Sequence, residues 1–320
     1  MKSVLTSLIL MFAIATGAAR GQTSTATNPL TEGALWEVHL NVHELFASPL
    51  GGLINKAILQ KVLDKKHSVE SFVEAIGLDP RTAVQEVILA GNSFDDTAPR
   101  IVADLGPSAG NLEGWLLAVP GYESETLSSG ALLHSITPDE GESKRIWCAI
   151  PKDSTKSNRI LIAALDRETV VQMVEFVEQS SLEQFSNRLE GGQLLAVSVN
   201  DVSKLPNMAD SQDPGAAILR AIQSLSLNLG AASDTFTLNC EATAESPARA
   251  EQMHQLLTGM KAMAQLALPQ EHPQGEQLAS IVNSVSVQYR TGENKVQAQG
   301  QFGYDMVESL LEGSLGATQK

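Results

Sequence analysis

The sequence predicts an α+β protein of two similar halves, each a mostly antiparallel sheet with helices packed on one face. Three observations carry this expectation. First, Lys144–Ser180 reads as a β-hairpin feeding an amphipathic helix: KRIWCAIP, a polar loop, RILIAALD, then RETVVQMVEFVEQSS. Second, the same order returns at Ser284–Gly313 as SVSVQYR, TGENK, VQAQGQF and GYDMVESLLEG. Third, each half reads β, α, ββ, α, hairpin, terminal helix, and hairpin connections imply antiparallel pairing.

The elements follow in chain order. Residues 1–21 read as a signal peptide: Lys2 is a positive n-region, Val4–Ala15 an apolar run, and Gly17–Gly21 small residues suited to cleavage. The apolar run is shorter than the ~20 residues that span a bilayer. Residues 22–32 are a polar, patternless leader. Trp36, Val38, Leu40 and Val42 then alternate with Glu37, His39, Asn41 and His43, which predicts a half-buried strand. Ser48-Pro49 opens one helix, and Ser68 caps a second that Gly77 and Asp79-Pro80 close. AVQEVILAG and RIVADLG are strands, NLEGWLLAV is a short helix, and YESETLSSGALLHSIT delivers the chain to the first hairpin.

A boundary is expected near Glu190, between halves 33–190 and 191–313, with a flexible tail over 314–320. After it come the strand GQLLAVSVND, a Pro- and Asp-rich loop, the helix AAILRAIQ and paired strands SLSLNLG and DTFTLNCEAT. Ser246-Pro247 opens the longest helix, whose Met253, Leu256, Leu257, Met260, Met263 and Ala267 stand at helical spacing and read as a core face. GEQLASIVN leads into the closing hairpin. The stretch RILIAALDRETVVQMV, Arg159–Val174, resembles exported bacterial proteins of unknown function in which strand, polar turn, apolar strand and Asp/Ser-led helix recur. That resemblance rests on hydrophobic patterning, so it implies no site residues.

Charge excludes one class of partner. The chain carries 22 basic and 37 acidic residues; removing Lys2 and Arg20 with the signal peptide leaves 20 against 37, a net charge of −17. Such a surface repels phosphate backbones, so nucleic acid is not expected. Cys148 and Cys240 could form a disulfide in an exported chain, yet each sits in a strand pattern that favours a small buried hydrophobe.

Catalytic signatures are sparse. Gly106-Pro107-Ser108-Ala109-Gly110 matches G-x-S-x-G between a strand and a helix, making Ser108 the one candidate nucleophile. Antiparallel hairpins argue against it, because a nucleophile elbow sits on a mostly parallel sheet. A Ser/Pro helix start, with Ser as N-cap, recurs at Ser246-Pro247 and is the plainer reading. His39 and His43 have i, i+4 spacing, but four residues of strand span ~13 Å, too far to share an ion bound at ~2 Å. No metal site or cofactor is expected.

The remaining candidate is a surface. Gln297, Gln299 and Gln301 form an uncharged outward row in the last strand. Gln288 and Ser286, Ser224, Ser226 and Asn228, and Thr235, Thr237 and Asn239 extend it on neighbouring strands. Amides donate and accept hydrogen bonds, so this face suits a polar ligand, a partner sheet or the other half of the molecule. The expected function is a non-catalytic exported envelope protein, secreted or periplasmic, acting as an interaction or scaffold module, with another envelope protein as partner. The alternatives are a serine hydrolase centred on Ser108 and a small-molecule binding protein with its site between the halves.

Overall fold

The computed structural model describes residues 28–54, 80–94, 99–106, 109, 112–117, 119, 121–137, 145–151, 159–179, 189, 192–205, 220–232, 234–271 and 275–309. The signal peptide, the helix expected over 69–78, Ser108 and the tail lie outside them. The described residues fall into two compact units. One comprises 28–46 and 80–189, the other 47–54 and 192–309. The fold is α+β, and every strand pairing described within the units is antiparallel.

The N-terminal unit holds strands β1 (Trp36–Asn41), β2 (Val84–Gly91), β3 (Arg100–Leu105), β4 (Tyr122–Thr126), β5 (Leu132–Ile136), β6 (Ile146–Ala149) and β7 (Arg159–Ala164), in the order β1-β2-β3-β7-β6-β5-β4. Its helices are α1 (Val42–Ala47), α3 (Pro80–Ala83), α4 (Leu112–Leu116) and α5 (Arg167–Gln179); α2 (Pro49–Ile54) belongs to the other unit. β7 explains the layering. Ile160, Ile162 and Ala164 enter a core with Val170, Met173, Val174 and Val177 of α5. Leu161 and Ala163 point the other way, into a second core with Leu112 and Leu116 of α4. A strand apolar on both faces must be covered on both. The expectation of helices on one face is therefore corrected for this unit: α5 covers one face and the short α4 the other.

α5 starts where Asp166 caps it. Thr169 donates its backbone N–H (2.7 Å) and its hydroxyl (2.8 Å) to Asp166 Oδ2, satisfying one of the orphan donors of the first turn. Apolar residues at 170, 173, 174 and 177 then share one face, each contributing roughly 1.5–3 kcal/mol by full burial. Arg100, buried at the start of β3, clamps the incoming chain. Its Nη1 donates to the carbonyls of Pro29 (2.7 Å) and Glu32 (3.0 Å), and its Nη2 to Asn92 Oδ1. Burial lowers its pKa, opposed by Glu37 and Glu32.

The C-terminal unit holds β8 (Gln193–Val199), β9 (Ile222–Ala232), β10 (Thr235–Ala244), β11 (Ser286–Tyr289) and β12 (Lys295–Gly303), in the order β8-β9-β10-β12-β11. Helices α6 (Pro247–Glu271) and α7 (Gly275–Ser284) join β10 to β11, and residues 304–309 are helical after β12. β9 begins at Ile222, so Ile222 and Gln223, expected in a helix, extend the strand instead. The inner face of this sheet is apolar in register: Val296 opposes Ala242 and Phe302 opposes Phe236. Leu225, Leu227 and Leu229 continue it and meet Val199, Val197 and Leu195. α6 and α7 pack against β10–β12. Tyr289, an inner-face residue, donates its hydroxyl to the Pro247 carbonyl (3.2 Å), and its ring lies 6.0 Å from that of His254, which fixes α6 on that face.

Candidate functional site: the outer face of the C-terminal sheet

Alternation along five strands leaves the face opposite α6 polar. Registers place Ser286, Gln299, Asn239 and Asn228 in one rank across β11, β12, β10 and β9. A second rank runs Gln288, Gln297, Glu241, Ser226 and Ser198. Gln301 opposes Thr237 in a third. All five nominated residues, Gln297, Gln299, Gln301, Gln288 and Asn239, therefore share this face. Gln288, Asn239, Gln299 and Gln301 are exposed, and Gln297 is half-buried.

Gln297 is half-buried because it is used. Its Nε2 donates to Glu241 Oε2 (2.9 Å), while Lys295 Nζ binds Glu241 Oε1 (2.6 Å). The carboxylate and ammonium neutralise each other, so the face keeps no net charge despite holding two charged side chains. Glu241 and Lys295 are the members that reading for neutral residues passes over, although period-two alternation of Asn239, Glu241 and Thr243 marks Glu241 as outward-facing. Gln301 Nε2 donates to Thr235 Oγ1 (3.3 Å), and the Ser286 hydroxyl to the Gln299 carbonyl (3.3 Å). The Gln299 and Asn239 amides stand in the exposed centre. The chemistry available is hydrogen bonding in both directions at strand spacing, ~4.8 Å between neighbours.

The other sequence candidates fall elsewhere. Gly106 precedes Ser108 in a tight place: a Cβ there would stand 2.7 Å from the end of the flexible Gln85 side chain and 3.2 Å from the Thr82 carbonyl. A packing role therefore suits the first glycine of G-x-S-x-G as well as a catalytic one. β3 beside it is paired antiparallel on both sides, with β2 and β7. The expected strand through His43 is corrected. β1 ends at Asn41, whose Oδ1 accepts the Glu44 N–H (2.9 Å) and starts α1. His39 lies in β1, 3.7 Å from Glu37, whereas His43 is exposed on α1. Among the described residues, no group of three or more His, Cys, Asp or Glu side chains is placed to hold a metal ion.

Cys148 and Cys240 are both thiols, with no disulfide between them. Burial pushes Cys148 up to about 11 and Cys240 up to about 12, the latter opposed by a backbone hydrogen bond from Ala298. Among the described residues, no helix is long and apolar enough to cross a membrane.

No protein-family model and no curated protein sequence matches the chain. Its fold is similar to that of TP0453. Crystal form III of that protein aligns at TM-score 0.50 and 11% identity, over 91% of this chain and 100% of the other. Crystal form IV aligns at TM-score 0.48 and 12% identity, over 90% and 97%. At such identity the likeness is one of fold.

Proposed function

We propose that this chain is an exported, non-catalytic interaction module of the bacterial envelope, and that the outer face of the C-terminal sheet is its binding surface. The observation that carries the reading is the neutral rank Ser286–Gln299–Asn239–Asn228, on the face opposite α6, in a chain of net charge −15. Solvated faces of so acidic a chain collect carboxylates; this one holds amides and hydroxyls, with its single carboxylate in the second rank matched by Lys295. Such a surface favours a polar, uncharged partner face that exchanges hydrogen bonds with it.

Its test uses the two exposed glutamines of β12. Gln297 is left alone because Gln297→Glu would set a carboxylate directly opposite Glu241. The processed wild-type chain is expected to capture an envelope component by cross-linking and pull-down. Gln299→Glu with Gln301→Glu should abolish that capture while circular dichroism stays unchanged. Capture that survives in the folded double variant would reduce the face to a solvated sheet surface.

The proposal extends to the architecture, in which the two units are copies of one design. Support comes from strand order. β1-β2-β3-β7-β6 in one unit corresponds, strand for strand in sequence order, to β8-β9-β10-β12-β11 in the other. The β4–β5 hairpin is then an addition to the first copy, joined beyond β6.

A further inference from the structure

β11 is the outermost described strand of its sheet, and its counterpart shows what such an edge accepts. β6 pairs with β7 on one side and takes β5 antiparallel on the other, from Leu133 opposite Ala149 to Ile136 opposite Ile146. β6 and β11 are each four residues long. Among the described residues, no strand stands beside β11 where β5 stands beside β6.

The outer strands β4 and β11, one in each unit, also differ in chemistry. β4 carries exposed Glu123 and Glu125, bound by Arg145 (2.9 Å) and Arg167 (2.7 Å). Charge on an outer strand blocks edge-to-edge pairing. β11, with the sequence Ser-Val-Gln-Tyr, has no charge and no proline. It is held ready as a template: Tyr289 is tied to Pro247 and lies against His254, and Lys261 Nζ donates to the Val285 carbonyl just before it.

We infer that the edge of β11 takes an antiparallel strand from a second copy of this chain, β11 against β11 about a two-fold axis through Val287. The strand is complementary to itself in that register. Val287 faces the partner's Val287 on the inner side. Ser286 faces the partner's Gln288 on the outer side, and Gln288 the partner's Ser286. No two charges oppose within the strand, so the acidic chain meets its copy where repulsion is least. The closed two-fold contact is isologous, and it would make the polar rank continuous from one copy to the other. The inference rests on the correspondence of the two units, but not on the partner proposed for the polar face.

Sedimentation velocity on the processed chain over a concentration series is expected to show a reversible dimer. Ser286→Lys with Gln288→Lys sets ammonium groups opposite one another twice across the axis, and should raise the dimer Kd by roughly tenfold or more. Both residues are exposed, so the fold should persist. A second variant guards against misfolding. Residues opposite each other in an antiparallel pair have Cα atoms ~4.5–5.5 Å apart, within disulfide reach, so Ser286→Cys with Gln288→Cys should oxidise to an interchain disulfide. A chain that stays monomeric at every concentration overturns the inference, as does a dimer indifferent to the lysine pair or a cysteine pair that never cross-links. A monomer that still captures its partner through Gln299 and Gln301 would overturn the edge assignment alone.

Discussion

A single absent carbon settles how β1 lies on β2. Trp36 opposes Gly91 directly, and a Cβ on Gly91 would stand 2.5 Å from indole atoms Cε2 and Cζ2. The ring therefore lies across the glycine and reaches the Ser93 carbonyl with its Nε1, at 2.7 Å. Gly91→Ala should displace the indole, break that bond and cost about 1–3 kcal/mol, the usual penalty of overpacking. A lower denaturant midpoint with a red-shifted tryptophan emission is the expected result; an unchanged midpoint would show that the ring has room to move. The two thiols make a related point at this scale. Each occupies a strand position that faces an apolar neighbour, and it is burial that raises their pKa.

Among the elements, α5 depends on its cap. The Thr169 N–H and hydroxyl hold the Asp166 carboxyl below the usual aspartate value, against a small opposing effect of burial. A depressed carboxyl contributes stability that is present above its unfolded value, ~3.9, and lost as pH falls through the folded one. Asp166→Ala should cost about 1 kcal/mol at neutral pH. Asp166→Asn should keep most of the cap while removing its acid dependence. Denaturant unfolding at neutral and acid pH checks both; an alanine variant as stable as wild type at neutral pH would show that α5 is held by its apolar face alone. α6 behaves otherwise. Of the stripe expected to form a core face, Met253 is fully buried, but Leu256 is 47% and Met263 65% exposed. Only part of this 25-residue helix meets the sheet, so helical spacing marked apolar positions without showing where the neighbours end.

At the scale of the whole molecule, export remains the proposal on which localisation turns. Lys2, the apolar run to Ala15 and the small residues to Gly21 lead to the expectation that the processed chain begins at Gln22 or within three residues upstream. N-terminal sequencing of protein from an envelope fraction checks this, and Met1 on that material would end the proposal. The proposed duplication draws on strand order as well as on sequence. Repetition in the text shows which elements recur, whereas pairing shows that β7 and β12 each insert between the third strand and the first strand of their own hairpin.

What the sequence determined by itself is local. Period-two alternation placed Gln297, Gln299 and Gln301 on one face of a strand, because side chains alternate whatever the strand pairs with. Ser246 marked a helix start, because a first turn needs an acceptor for its free N–H groups. Tertiary structure decided what depends on register and on neighbours: that Asn239 stands beside both Gln299 and Asn228, and that Glu241 and Lys295 cancel each other within the polar face. It also decided that α4 covers the second face of β7. These are contacts between residues far apart in the chain, and no local pattern specifies the partner across the gap.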